Sequence, residues 1–342
     1  MRRLVAALVV AMSFAACSGD GSTDTTPAAG DSTVTADGDL PSRDDVVAAI
    51  TAEVIVPGYD RLATTTETLQ TAIEDVCAQP SDARLTVAQE AWRDARQAWS
   101  ATRAYRFGPA TDDRTMSKID FPIDPQKITD LLAGTEPVDV ETVGALGSDQ
   151  RGLGGVEAAL FGNDPTDDRS CEYAASASEL VATTAVELSD EWEVGSDLPT
   201  QDVIELVVNG IVFALGDVAD MRLGLASGAT TGIPAPAEAD GGSAHSARDD
   251  MLAVLDGVDA LVDHLDPLVS SQSAQTAERL ATQLANARTN IELIPSPLAT
   301  ATDIDAIASA YRSTTAALLI ARAEVASLLG VTLTLGDADG DS

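Results

Sequence analysis

Apolar residues recur along this chain at alternating steps of three and four, the spacing that gathers them on one face of an α-helix. Leu85, Ala88, Trp92, Ala95, Trp99 and Thr102 form one such stripe. Val203, Val207, Gly210, Ala214, Asp217, Met221 and Leu225 form a second, with Asp217 as its polar intruder. Ile304, Ile307, Tyr311, Thr314, Leu318, Ala321, Val325 and Leu328 form a third. The patterning predicts further helices over 43–79, 170–193, 247–268 and 274–294, the first of them broken or kinked at Pro57-Gly58. Start signals agree: Ser42 precedes Arg43-Asp44-Asp45, Ser246 stands three before Asp249, and Thr302 three before Asp305.

No segment alternates as a strand should; Val331 to Leu335 is the one candidate, and it is short. Two long stretches without a helical period, Phe107 to Gln150 and Ala226 to Ala244, interrupt the helices, and loops of that length in a compact domain tend to be functional or mobile. The expected class is all-α, as two antiparallel helical bundles packed together. They are expected over 42–195 and 196–336, dividing near Val194-Gly195-Ser196, with an acidic tail over 337–342.

The chain has 342 residues, enough for a sizeable core, and carries 55 acidic against 20 basic residues for a formal charge of −35. Its only lysines are Lys118 and Lys127. Such a field repels nucleic acid and anionic lipid surfaces, so phosphate-backbone binding is excluded as a function. The plainest reading of the acidic surface is a solvated exterior rather than a site.

Before the first helix the sequence changes character. Arg2 and Arg3 precede an apolar stretch, Leu4 to Met12, too short to span a bilayer, and Phe14-Ala15-Ala16-Cys17 follows. This resembles a lipobox, which predicts a signal peptide over 1–17 with Cys17 lipidated; a secretory signal cut near Ala16 is the alternative. Residues 18–41 are rich in Gly, Ser, Thr and Asp, as in a flexible tether, which favours the anchor. Both readings place the protein outside the cytoplasm. Cys77 and Cys171 are then expected to form a disulfide across a separation of 94 residues, with a thiol–metal site as the weaker alternative.

Three segments in order resemble the imelysin family. Ala91 to Trp99, continuing through Tyr105-Arg106-Phe107-Gly108-Pro109, is similar to the family's helix and F-R-F-G-P-like turn, and Ile119-Asp120-Phe121-Pro122 to its I-D-x-W-P element. Arg151 to Gly162 aligns with the signature G-x-H-x-x-E and the apolar residues after it. Leu215 to Leu225, Ser243-Ala244-His245-Ser246 and Leu255 to Val258 keep the family's order, and the close from Leu329 resembles its lipoprotein branch. The family includes an insulin-cleaving membrane protease and iron-regulated envelope proteins.

The resemblance implies a divalent metal, iron or zinc, held by a histidine and a glutamate three residues apart on one helix face. Here the histidine position is Gly154, so only Glu157 of the pair remains as a candidate ligand. A second departure is Arg103, where the family usually carries a glutamate. The joint change suggests that Arg103 pairs with Glu157 in place of the metal, with an exposed or capped Glu157 as the equal alternative; Arg106, in the turn, is placed to hold Asp120 or another acid near the motif helix, and Arg103, Arg106, Asp120 and Glu157 are the candidate cleft.

Other chemistry is scarce. The two histidines, His245 and His264, read as a loop residue and a solvated helix edge, and neither a nucleophile elbow nor a phosphate loop occurs. Trp92 and Trp99 lie on the apolar stripe and read as core. Asp337, Asp339 and Asp341 read as an acidic tail rather than a calcium loop. The expected function is a membrane-anchored, non-enzymatic envelope module related to iron or metal uptake, with a metal ion or an envelope protein as partner. A metallopeptidase and a metal-free structural protein are the rivals.

Overall fold

The computed structural model describes residues 40–162, 164–194 and 198–334. The predicted signal peptide, Cys17, nearly all of the tether, the acidic tail and the dividing point at Gly195-Ser196 lie outside these residues.

α1 (Arg43–Ile50) starts where its first turn is capped: Ser42 accepts the Asp45 amide while the Asp45 carboxylate accepts the Ser42 amide. The chain then widens into one π-turn, Thr51–Ile55, before α2 (Val56–Ala78). Pro57 has no N–H to give the carbonyl four residues back, and the helix absorbs that loss by widening rather than by ending. α3 (Asp82–Ala101) carries the first apolar stripe, with Trp92 and Trp99 each 1% exposed. It tightens into a 3-10 turn, Thr102–Tyr105.

The stretch expected to be irregular from Phe107 to Gln150 is instead a run of short helices: α4 (Thr115–Ile119), α5 (Pro125–Ala133) and α6 (Val140–Gly144), with 3-10 turns between them. Pro125 and the side-chain caps Asp124 and Asp139 start α5 and α6, local signals that act over too few residues to show a period. α7 (Gly152–Leu160) and α8 (Asp168–Val194) complete the first half.

The second half begins with α9 (Thr200–Gly216), which passes through a π-segment, Asp217–Gly224, into α10 (Leu225–Ser227). α11 (Pro236–Asp240) lies in the Gly/Pro-rich stretch. α12 (Ala247–Glu292) is continuous except at Ser273, whose extended backbone separates the two helices the pattern predicted. The Ser273 hydroxyl accepts the Thr276 amide at 3.2 Å and so starts the second of them. α13 (Ile304–Ile320) is capped by Asp303 rather than by Thr302, and Ser246 spends its hydroxyl on Asp250 instead of on the start of α12. α14 (Ala326–Leu329) ends the helices. Val331 to Thr334 is no strand: it lies on α9, where Asn209 donates to the Thr332 carbonyl and accepts the Thr334 amide.

All described residues in regular structure are helical. α2, α3, α7 and α8 pack together on one side, α9, α12 and α13 on the other, and α3 against α12 joins them around a shared core. Cys77 and Cys171 form a disulfide that ties the end of α2 to α8. The few aromatic residues concentrate where the 3-10 turn enters this core: Tyr59 stacks on Trp192, and Tyr105 and Phe107 meet that pair edge-on. The Tyr59 hydroxyl donates to the Tyr105 carbonyl at 3.0 Å. Among the described residues no helix is long and apolar enough to cross a membrane.

Candidate functional site

The motif helix α7 is fastened to α3 by two side-chain donors. Trp92 Nε1 donates to the Leu153 carbonyl at 2.9 Å, and Gln89 to the Leu160 carbonyl at 2.9 Å. This sets Glu157 toward the junction of α3, α12 and the 119–124 segment. Its carboxylate accepts the Ala244 amide at 2.8 Å. Gly242 makes room for it, since a Cβ there would stand 2.1 Å from Oε1. Burial pushes the Glu157 pKa up, partly offset by the Ala244 amide and by Arg96, while Asp250 and Asp120 push it further.

Arg96 is the centre of charge. Its Nη1 donates to Asp120 at 2.5 Å and its Nε to Asp250 at 3.2 Å, with side-chain exposures of 19%, 21% and 11% for the three groups. Burial works against its charge, but the two aspartates outweigh that and raise its pKa. Asp250 accepts a second bond from the Ser246 hydroxyl at 3.0 Å, while its Oδ1 is buried without a partner. Burial accordingly pushes the Asp250 pKa up against the pull of Arg96 and Ser246. Removing one member of such a pair strands the other's charge in a low-dielectric setting, which generally costs about 3–5 kcal/mol.

Two expected pairings are overturned. Arg103 does not meet Glu157: its Nε faces Asp217 at 3.4 Å, and its guanidinium lies over the Phe213 ring, 4.6 Å from the centroid. The α-helix has already given way to the 3-10 turn at Thr102, and that turn delivers Arg103 to α9. Arg106 does not hold Asp120, which belongs to Arg96. It stacks on Trp99, 3.5 Å from the ring centroid, and donates to the Thr102 hydroxyl and the Trp99 carbonyl. Burial, with Arg103 adding repulsion, pulls its pKa down to about 9, which still leaves it charged at neutral pH.

Arg96 and Asp250 are the site residues that sequence reasoning passed over. The signal was present, because each falls on an apolar stripe: Arg96 between Trp92 and Trp99, Asp250 beside Met251 and Val254. A charge on a buried face must find a partner. His245 is an exposed loop residue, as expected; its positive φ of 55° lets Nδ1 reach the buried Asp240 at 2.9 Å. His264 bonds the Ala260 carbonyl and Glu53 at the helix edge.

The residues present do not fit the family's metal pair. A Cβ built on Gly154 stands 2.7 Å from Cγ2 of Ile123 and 3.5 Å from the Phe121 carbonyl, so the direction a ligand side chain would take is filled. Among the described residues no three His, Cys, Asp or Glu side chains are arranged to hold an ion. The arrangement offers a partly buried polar cluster in which one guanidinium faces three acids, and no nucleophile–base pair stands beside it among the described residues.

Comparison with known proteins agrees on the fold. The imelysin family model matches residues 55–327. Iron-regulated protein A of Synechococcus elongatus is 27% identical over 192 residues, which span 50% of this chain and 52% of that protein, about half its length. An imelysin-like protein of Psychrobacter arcticum superposes with a TM-score of 0.74 at 20% identity, over 86% of this chain and 98% of that one. A structure described as an iron-regulated protein A precursor of Parabacteroides distasonis gives 0.70 at 17%, over 86% and 96%.

Proposed function

The chain belongs to the imelysin family, and we propose that within it this protein is an exported, lipid-anchored envelope module that binds or assists rather than catalyses. The export and the anchor rest on Arg2, Arg3, the short apolar stretch and Cys17. The connection to iron rests on similarity to proteins described as iron-regulated. Its working surface is the cleft beside α7, with an envelope protein or a small polar ligand as partner.

One observation carries the non-catalytic reading: Gly154 has no side chain and Ile123 packs over it, so no ligand stands at the family's histidine position beside Glu157. A catalytic zinc generally needs three protein ligands and an open position for water. Metal analysis of the purified, tag-free chain is expected to find no stoichiometric zinc or iron. A peptidase assay with added zinc or ferrous iron is expected to show no turnover that Glu157→Ala abolishes. Chelator-sensitive hydrolysis lost in that variant would overturn the reading and restore the metallopeptidase.

A further inference from the structure

Carboxylates that share a partly buried site must be neutralised by something, because uncompensated they repel one another. Asp120, Glu157 and Asp250 come from three separate parts of the chain, and one cation is bonded to two of them. Arg96 reaches Asp120 with Nη1 and Asp250 with Nε, so its planar head bridges the 119–124 segment and α12 from its seat on α3. Glu157 joins the group through a single short segment: its carboxylate takes the Ala244 amide, and Ser246, two residues on, takes Asp250. Neither Arg103 nor Arg106 competes for these acids, since the first faces Asp217 and the second lies on Trp99.

We propose that Arg96 is the resident cation of this cluster, bonded to Asp120 and Asp250 and acting through space on Glu157, that it takes the place a bound divalent metal would occupy, and that it so excludes such a metal. This rests on the reading that the family's metal pair is not retained. Guanidinium suits the role because its flat fork serves two carboxylates at fixed angles and keeps its charge at every physiological pH. The acids are then held apart by a group that no ion can displace without leaving Arg96 buried and unpaired. The geometry of the cluster becomes independent of metal supply, in contrast to a site assembled around its ion.

The test removes the guanidinium and asks whether a metal takes its place. The purified chain, Arg96→Met, and Arg96→Met combined with Asp250→Asn are stripped with chelator, dialysed, and titrated with Mn²⁺ by calorimetry and thermal melting. The wild type is expected to show no saturable shift. Arg96→Met is expected to bind Mn²⁺, with Tm rising roughly 4–8 °C at a hundredfold excess over Kd. Adding Asp250→Asn is expected to cancel most of that rise. Should Arg96→Met fail to fold alone, refolding in Mn²⁺ gives the same readout: recovery of the helical signal supports the proposal, and no recovery overturns it. A folded Arg96→Met that ignores Mn²⁺ defeats this proposal alone. A wild type that binds Mn²⁺ and loses it in Glu157→Gln defeats the reading beneath it as well.

Discussion

The seam where residues 101–105 cross α9 and α12, and the pocket beneath α7, both place a glycine hard against a neighbour, but the neighbours differ in kind. At the seam, a Cβ on Gly210 would stand 1.9 Å from the Ala104 carbonyl oxygen, and one on Gly257 1.9 Å from that of Ala101. Beneath α7, a Cβ on Gly154 would meet Ile123 Cγ2 at 2.7 Å. A backbone carbonyl inside a packed turn cannot retreat without moving the helix it belongs to, whereas the half-buried Ile123 can give way by a χ1 change or a small shift of its segment, at a lower cost. The seam is therefore rigid and sets where α3 hands its arginines on. The pocket is adaptable, which is how a family ligand position can become glycine while the fold persists.

Losing the disulfide calibrates this contrast, because it acts on the unfolded chain and touches neither glycine contact. Cys77→Ala with Cys171→Ala opens a closure of 94 residues and is expected to lower stability by about 4 kcal/mol in denaturant titration. Gly257→Ala should come next, at about 3 kcal/mol, since overpacking against backbone has no cheap relief. A loss under about 1 kcal/mol there would mean the seam yields as readily as the pocket, and the contrast would fail.

Smaller effects sharpen the picture. Asp167 caps α8, accepting the Arg169 and Ser170 amides. The Ser170 hydroxyl, ahead of those amides, holds its pKa below the ordinary 3.8. A depressed carboxyl stabilises the fold above its unfolded pKa and loses that contribution as pH falls through its folded value. Asp167→Ala should therefore cost about 1 kcal/mol at neutral pH, and thermal melts should show the gap to wild type closing in acid. Gly154→Ala is expected to be the mildest, within about 0.5 kcal/mol of wild type, because the helix propensity gained offsets the displacement of Ile123. A double-mutant cycle should show that Ile123→Ala costs less in the Gly154→Ala background than in the wild type.

Much of the architecture was legible in the order of residues. Period located the long helices, including the separation of α12 at Ser273, Ser42 marked the start of α1, and export-type cysteine usage pointed to the Cys77–Cys171 bridge that forms. The short helices between Phe107 and Gln150 were missed because five to nine residues are too few to establish a period. At the site, motif order led to Glu157 and Asp120 but chose the wrong cations for them. Resemblance pointed to Arg103 as a departure from the family's usual glutamate and to Arg106 as part of the recognised turn, while Arg96 sat unremarked in the middle of a tryptophan-bearing stripe.

The limit has a physical source. Helical class, the number of long helices and the absence of a histidine partner for Glu157 depend on spacing within a few residues, and local chemistry sets them. Which arginine answers which carboxylate depends on groups that meet across 24 and 154 positions, as Asp120 and Asp250 do on Arg96. Those meetings are decided by where the 3-10 turn after α3 releases the chain and by how closely the glycines let α9 and α12 approach it. Charge acts through space, and only the packed molecule says which spaces are shared.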